Sequence, residues 1–352
     1  MSVALITGGA GFIGTNLAHR LLTNGREVVI LDNLSRAGAE RNAAWLAEQH
    51  GDRLRLEIGD ILDVRAVGRA VQQADEVYHL AAQVAVTTSL SSPLSDFETN
   101  ARGTLNVLEA ARAQPEPPAL LFTSTNKVYG ALDDIQLHRK RHRYVPAHEA
   151  DIAFGISERR PLDFHSPYGC SKGAADQYVL DYARCFGLRA VVFRMSCIYG
   201  PHQYGNEDQG WVAHFLIRAL EGNPLVLFGD GLQVRDVLYV DDLVDAMQLA
   251  MSNSAALAGE AFNIGGGPSN TLSLLELLQL MNDRHALQPP MSHAKPRQGD
   301  QRYYVSDVRK FCNATGWRPR TSPAEGVAQL HDWLKGGARE PQRRALALAA
   351  GQ

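Results

Sequence analysis

The sequence predicts an α/β fold, a doubly wound parallel sheet with a smaller C-terminal α/β lobe, from three observations. An apolar, β-branched run, Val3 to Thr7, stops at a glycine turn and gives way to an amphipathic segment. Strand-like and helix-like patterns then alternate as far as Arg194, and beyond that the alternation loosens. Parallel neighbours need a long crossover, usually helical, so strict alternation argues for a parallel sheet. At 352 residues and 45% hydrophobic, the chain can bury one large core, or a main domain plus a smaller one, without disulfide or metal.

Composition narrows the function classes. A net charge of -3 gives no basic field of the kind nucleic-acid binders carry. Cys170, Cys185, Cys197 and Cys312 lie far apart with no ligand-like spacing, so reduced thiols and no metal site are expected. The N-terminus enters a strand at once, and no apolar run approaches ~20 residues. The expectation is a soluble, cytoplasmic protein with no nucleic-acid or membrane partner.

In chain order, Gly8-Gly9-Ala10-Gly11-Phe12-Ile13-Gly14 follows the first strand, and Asn16 to Leu22 reads as a helix. Strand, glycine turn and helix form the unit that holds a dinucleotide pyrophosphate: the glycines let backbone amides approach, and the helix start supplies positive dipole. The second strand, Glu27 to Leu31, ends in Asp32 and Asn33, where a carboxylate meets ribose hydroxyls and repels a 2'-phosphate. That favours NAD over NADP, although Arg36 nearby can accept such a phosphate. The third strand, Leu54 to Ile58, ends in Gly59-Asp60-Ile61; Asp60 either accepts from an adenine amino group or caps a helix together with Asp63.

Strand four, Glu76 to His79, runs into Leu80-Ala81-Ala82-Gln83, small residues that suit a cofactor lying flat. Asn100 sits inside the next helix, where its side chain competes with the backbone unless something else uses it. Strand five, Leu120 to Thr125, turns abruptly hydroxylic at the end where ligands of parallel sheets sit. Tyr168 and Lys172 then stand four apart on a predicted helix, one turn from each other on one face. An adjacent cation favours the phenolate of a tyrosine whose ordinary pKa is ~10, fitting it to take a proton from a sugar hydroxyl. Thr125 can share that hydroxyl.

These motifs in this order resemble the extended short-chain dehydrogenase/reductase family, a Rossmann-fold family, from residue 1 to about residue 336. Within it, Ser124 to Gly130, Leu162 to Tyr178, Asp208 to Val212 and Gln233 to Asp236 resemble the CDP-paratose 2-epimerase group. The resemblance implies Tyr168 as acid/base, Lys172 on the nicotinamide ribose, and Thr125 as hydroxyl partner. It implies Tyr199 beside the nicotinamide and Gln83, Thr87 and Thr88 in a loop over the sugar. Lys127 is a further substrate-side candidate. Arg235 and Arg302 resemble the pair that grips a nucleotide diphosphate, or either holds a structural carboxylate such as Asp236 or Asp300.

Dehydratases of that superfamily carry an Asp-Glu pair after the active-site threonine; here Asn126 and Lys127 stand there, leaving no obvious acid and base for eliminating water. The expected function is a tightly NAD-bound, recycling epimerase that inverts C2 of a CDP-sugar through a transient ketosugar. A UDP-sugar 4-epimerase, a net oxidoreductase and a non-catalytic NAD-binding protein are the alternatives. By analogy the resemblance implies a homodimer or homotetramer and a place in lipopolysaccharide biosynthesis. Residues 1–200 are expected to form the NAD-binding domain, 201–336 mainly the nucleotide-sugar lobe interleaved with it, and 337–352 a tail. The polar excursion 131–165, with its basic cluster at His138 to Arg143, reads as a solvated loop or a phosphate dock.

Overall fold

The computed structural model describes residues 2–297 and 299–337. Its first half runs β1 (Val3–Thr7), α1 (Phe12–Thr23), β2 (Glu27–Asp32), α2 (Ala39–His50), β3 (Leu54–Ile58), α3 (Val64–Val71), β4 (Glu76–His79), α4 (Val86–Ser91), α5 (Pro93–Phe97), α6 (Gly103–Arg112) and β5 (Ala119–Thr125). A hairpin, β6 (Leu137–Arg139) and β7 (Tyr144–Pro146), precedes α7 (Glu149–Phe154), the long α8 (Ser166–Phe186), β8 (Ala190–Met195) and β9 (Cys197–Tyr199). Then come α9 (Trp211–Leu220), β10 (Leu225–Phe228), β11 (Val234–Tyr239), α10 (Val240–Ser252), α11 (Ser254–Leu257), β12 (Ala261–Ile264), β13 (Thr271–Ser273), α12 (Leu274–His285), β14 (Met291–Ala294), β15 (Tyr303–Tyr304), α13 (Arg309–Thr315) and α14 (Pro323–Gly337).

Seven parallel strands form the main sheet, in the order β12-β8-β5-β4-β1-β2-β3. Inside the sheet both faces are buried and the strands read as apolar runs, whereas the edge strand β3 alternates and is only partly buried. Within β1, Ala4 and Ile6 join one core with Leu17, Leu21 and Met247, from α1 and α10. Leu5 points the other way, joining Val67, Val107 and Val179, from α3, α6 and α8. The sheet order reverses at β1, which pairs β2 on one side and β4 on the other; this opens a crevice beyond the strands' carboxyl ends.

The smaller lobe packs β9, β11, β13 and β15, with the β10–β14 pair, against α9, α12 and α14. It is not a simple C-terminal addition, because β12, well past residue 200, returns to the main sheet beside β8. The excursion 131–165 is also more ordered than a solvated loop. Its hairpin is pinned by Arg143, which donates to both Glu276 carboxylate oxygens and to Thr271. In the lobe, α9 starts at Trp211, after Gly210 in the left-handed region at φ 78°. Of the expected tail, Gly337 ends α14 and residues 338–352 lie outside the described residues. Among the described residues, no helix is long and apolar enough to cross a membrane.

Candidate functional site

A cavity of about 1010 Å³ lies over the carboxyl ends of the main strands, between the sheet and the smaller lobe. Its first wall is the glycine turn. At φ 70°, Gly8 lies so close to β4 that a Cβ would stand 2.7 Å from Ala81 N, and a Cβ on Gly14 would stand 2.5 Å from Gly9 Cα. Gly11 is different: a Cβ there would meet only Gly8 O, at 3.1 Å. As N-cap of α1 it has no side-chain cap bond, so the first-turn N–H groups next to Phe12 and Ile13 are left for an anion at the cavity wall. Asp32 accepts from Ala10 N (3.0 Å) and Leu34 N (2.8 Å), and burial raises its pKa. Asn33 donates to Asp60 at 2.9 Å. The helix cap is Asp63, which accepts from Arg65 N and Ala66 N, while Asp60 lines the cavity with Ile61. An uncapped helix start, close-packed glycines and a fixed carboxylate at the end of β2 together fit a dinucleotide.

The second wall is β5 and α8. Tyr168 and Lys172 are buried side by side on α8, 8% and 3% exposed, and both line the cavity with Thr125. Thr125 is hydrogen-bonded to the Tyr168 phenol. Burial pushes that phenol up to about 12, opposed by the Thr125 bond and the Arg36 charge, while Asp96 adds to the rise. Burial pushes Lys172 down to about 7, against the pull of Asp176 and Asp96; its Nζ donates to Thr123 O at 2.6 Å. The expected stabilisation of the phenolate by Lys172 is therefore absent here. The ammonium is turned to the backbone, and the cation acting on Tyr168 is Arg36 from the β2–α2 connection.

Beneath this pair lies a polar network in which Asp96 and Ser171, which the sequence did not single out, join Asn100 and Gln83. Asp96 accepts from Ser171 Oγ (2.5 Å) and from Gln83 Nε2 (2.8 Å), and Asn100 donates to Ser171 Oγ (3.0 Å). Asn100 also holds both the N–H and the C=O of Gln83. A π-turn over Glu98–Arg102 presents it there. Asn100, expected on the cofactor, instead fixes the loop that carries Gln83, Thr87 and Thr88 along the cavity. Leu80, Ala81 and Ala82 line the cavity as expected. Ser124 Oγ, in the same wall, is buried without a hydrogen-bond partner.

The lobe supplies the third wall. Lys127 Nζ donates to Gly299 O at 3.0 Å and stands 3.9 Å from Asp300; burial lowers it to about 8, with Arg235 adding and Asp300 opposing. Arg235 donates to Asp300 at 2.6 Å, the carboxylate pairing that the sequence left open, while still lining the cavity. Arg302 departs from expectation. It is exposed, outside the cavity, with its guanidinium 5.9 Å from the Tyr144 ring, whereas its neighbours Gln301 and Tyr303 are buried. The lobe's second arginine at the cavity is Arg297, over the face of Phe228 at 3.9 Å. Tyr199 also departs: its ring is buried in the lobe core, and Ser196, Cys197 and Ile198 form that part of the wall. Arg36 crosses the cavity to donate to Gln209 of the lobe. Sequence signals for Arg297 and Ser124 were faint, a single basic residue after Lys295-Pro296 and one hydroxyl among three.

Comparison with known proteins agrees with this geometry. Residues 4–265 match the model of the NAD dependent epimerase/dehydratase family. The chain is 44% identical over 336 residues to CDP-paratose 2-epimerase of Salmonella typhi, spanning 94% of this chain and 98% of that protein. Among solved structures, UDP-glucose 4-epimerase of Thermotoga maritima superposes with TM-score 0.79 at 31% identity, over 96% and 99% of the two chains. A dTDP-glucose 4,6-dehydratase from Streptomyces venezuelae, solved with NAD, gives TM-score 0.82 at 30% identity over 96% and 99%. The chain belongs to the NAD dependent epimerase/dehydratase family.

Proposed function

We propose that this protein inverts C2 of a CDP-linked sugar, CDP-paratose or a similar sugar, through a transient ketosugar. The observation that carries it is the meeting of Thr125, Tyr168 and Lys172 on the wall of a glycine-lined cavity, with Asn126 and Lys127 where an acid pair would serve dehydration. Gly8, Gly11, Phe12, Ile13, Gly14 and Asp32 would hold NAD, with Asn33, Asp60, Ile61 and Leu80 to Ala82 along its adenosine end. Bound NAD supplies a reversible hydride acceptor. Tyr168 takes the proton of the reacting hydroxyl as its carbon is oxidised and returns it when the carbon is reduced on the other face. Thr125 holds that oxygen through its bond to Tyr168. Lys172 would hold the cofactor's ribose, and its charge, turned toward the phenol, would lower a pKa that burial alone leaves too high for neutral pH.

On the substrate side, Gln83, Thr87 and Thr88 face the sugar, and Lys127, Arg235 and Arg297 face its diphosphate. The relative at 44% identity supports the CDP-sugar and C2. A UDP-sugar 4-epimerase would use the same trio and is the second reading, favoured by the likeness to UDP-glucose 4-epimerase structures. Residues 1–200 then form most of the NAD-binding domain and 201–336 most of the sugar-binding lobe. A homodimer or homotetramer is part of the same reading, supported by Leu94 (81% exposed) and Phe97 (52%) on α5 beside α8. So is a cytoplasmic role in lipopolysaccharide biosynthesis, consistent with four free cysteines.

The test is turnover in deuterated water with a panel of CDP-, UDP-, GDP- and dTDP-sugars, followed by the NMR signals of the ring protons. Inversion at C2 of a CDP-sugar without deuterium uptake is expected. Inversion at C4 of a UDP-sugar moves the protein to the second reading, and deuterium at the inverted carbon refutes hydride return.

A further inference from the structure

A second cavity, of about 630 Å³, opens at the opposite end of the sheet, where β2 and β4 begin. Its wall joins Arg26 and Glu76 of the sheet edge to Asp245 of α10, and to Trp317, Arg318 and Arg320 in the α13–α14 connection. The two carboxylates are already committed. Glu76 Oε2 accepts from Arg26 Nη1 at 2.7 Å and from Tyr78 OH at 3.2 Å, and Asp245 accepts from Arg20 Nη1 at 2.7 Å, from outside the cavity.

The guanidinium groups are engaged only in part, Arg26 through Nη1 alone. Arg26 Nε and Nη2 are buried without a hydrogen-bond partner, which leaves the floor electropositive. Neither Arg318 nor Arg320 engages a hydrogen bond or ion pair through its guanidinium among the described residues. Yet the backbone that carries them is fixed: Asp242 accepts from Arg320 N at 3.2 Å, and its carbonyl accepts from Trp317 Nε1 at 3.0 Å. Three arginines therefore face two carboxylates across one cavity. Arg318 and Arg320 are exposed, on backbone fixed by the bonds to Asp242, with their guanidinium groups unpaired among the described residues. An unmatched guanidinium fork suits a phosphoryl group, which accepts two parallel N–H bonds from it.

We propose that this cavity binds a small anion carrying a phosphoryl group, bridging the α13–α14 connection to the sheet edge. Inorganic phosphate and the phosphoryl end of a sugar phosphate share this chemistry. A ligand present at ten times its Kd would favour the folded state by about 11-fold in the unfolding equilibrium.

The experiment titrates the full-length protein with inorganic phosphate and, separately, with glucose 6-phosphate at constant ionic strength, reading binding by calorimetry and melting temperature. Saturable binding is expected, weakened at least about tenfold in R318A/R320A, since a lost bidentate charge-assisted contact exceeds ~1.4 kcal/mol. It should persist in Arg235→Ala, and R318A/R320A should keep its unliganded turnover. Tighter glucose 6-phosphate binding assigns the site to a sugar phosphate, and equal affinity assigns it to the phosphoryl group alone. The proposal is overturned if neither probe saturates, if R318A/R320A binds like the parent, or if Arg235→Ala abolishes binding, which would place the anion in the other cavity.

Discussion

Replacing Lys127 with methionine removes a cation from the proposed diphosphate side of the cavity. Its Nζ donates to Gly299 O and faces Asp300, which Arg235 also holds. A hydrogen bond to a charged group is worth about 1.5–3 kcal/mol. At ~1.4 kcal/mol per tenfold, KM should therefore rise roughly 10- to 150-fold, with kcat affected less. Burial sets this lysine at about 8, below its ordinary value, so it is charged below that pH and neutral above it. Attraction to an anionic substrate is therefore present below pH 8 and lost above, and kcat/KM, which reports the free enzyme, should fall up to tenfold per pH unit on that limb. In Lys127→Met the limb should vanish because the charge is gone at every pH, and Lys127→Arg should restore affinity and extend it to higher pH. Steady-state kinetics from pH 6.5 to about 9.5 on all three proteins make the comparison, spanning the pKa by more than a unit each way. The reasoning fails if Lys127→Met keeps the parent's alkaline limb, or if its KM stays within about twofold.

Three further outcomes follow from the geometry. Tyr168→Phe removes the proposed proton carrier while keeping the buried ring, so kcat should drop by ~10²- to 10⁴-fold with KM nearly unchanged; a loss mainly in KM would make the phenol a binding group. Arg36→Ala breaks the contact with Gln209 across the cavity, so NAD should leave faster on gel filtration, read as the ratio of absorbance at 260 and 280 nm; unchanged retention would show that this contact closes nothing. Arg194→Met strands the Asp176 carboxylate, which is fully buried and held by two Arg194 bonds of 2.9 Å, and should cost about 3–5 kcal/mol in urea unfolding; a cost below ~1 kcal/mol would mean that Asp176 takes up a proton or finds water.

The main sheet was legible because local pattern and tertiary role coincide there. Strands buried on both faces read as apolar runs, and the turn at Gly8 to Gly14 has glycines where backbone packs on backbone. The pairing of Tyr168 with Thr125 was legible because a four-residue spacing on a helix and a hydroxyl at a strand end are both local facts. What stayed hidden depends on contacts between distant segments. Ser171, between Tyr168 and Lys172, gains its role only through Asp96, 75 residues away, which accepts its hydroxyl. Arg302 and Tyr199 were misplaced by side-chain direction: Arg302 points out between buried neighbours, and Tyr199 turns its ring into the lobe core. The Tyr168 pKa was misjudged because spacing shows proximity of charge but not burial, and here burial dominates.

The return of β12 to the main sheet bears on how the chain is made. Ala261 to Ile264 pair with Val192 to Met195, so the 65 residues from 196 to 260, which hold the lobe's first elements and α10, must leave the ribosome before β8 gains its outer neighbour. Until then β8 is a buried-type apolar strand with an open row of N–H and C=O groups, a template for pairing with a neighbouring nascent chain. Synthesis that pauses after the lobe's first helices would hold the chain in that state. Yield should therefore depend on translation speed and chaperone supply across residues 200–264 more than on any sequence change within the first two hundred residues.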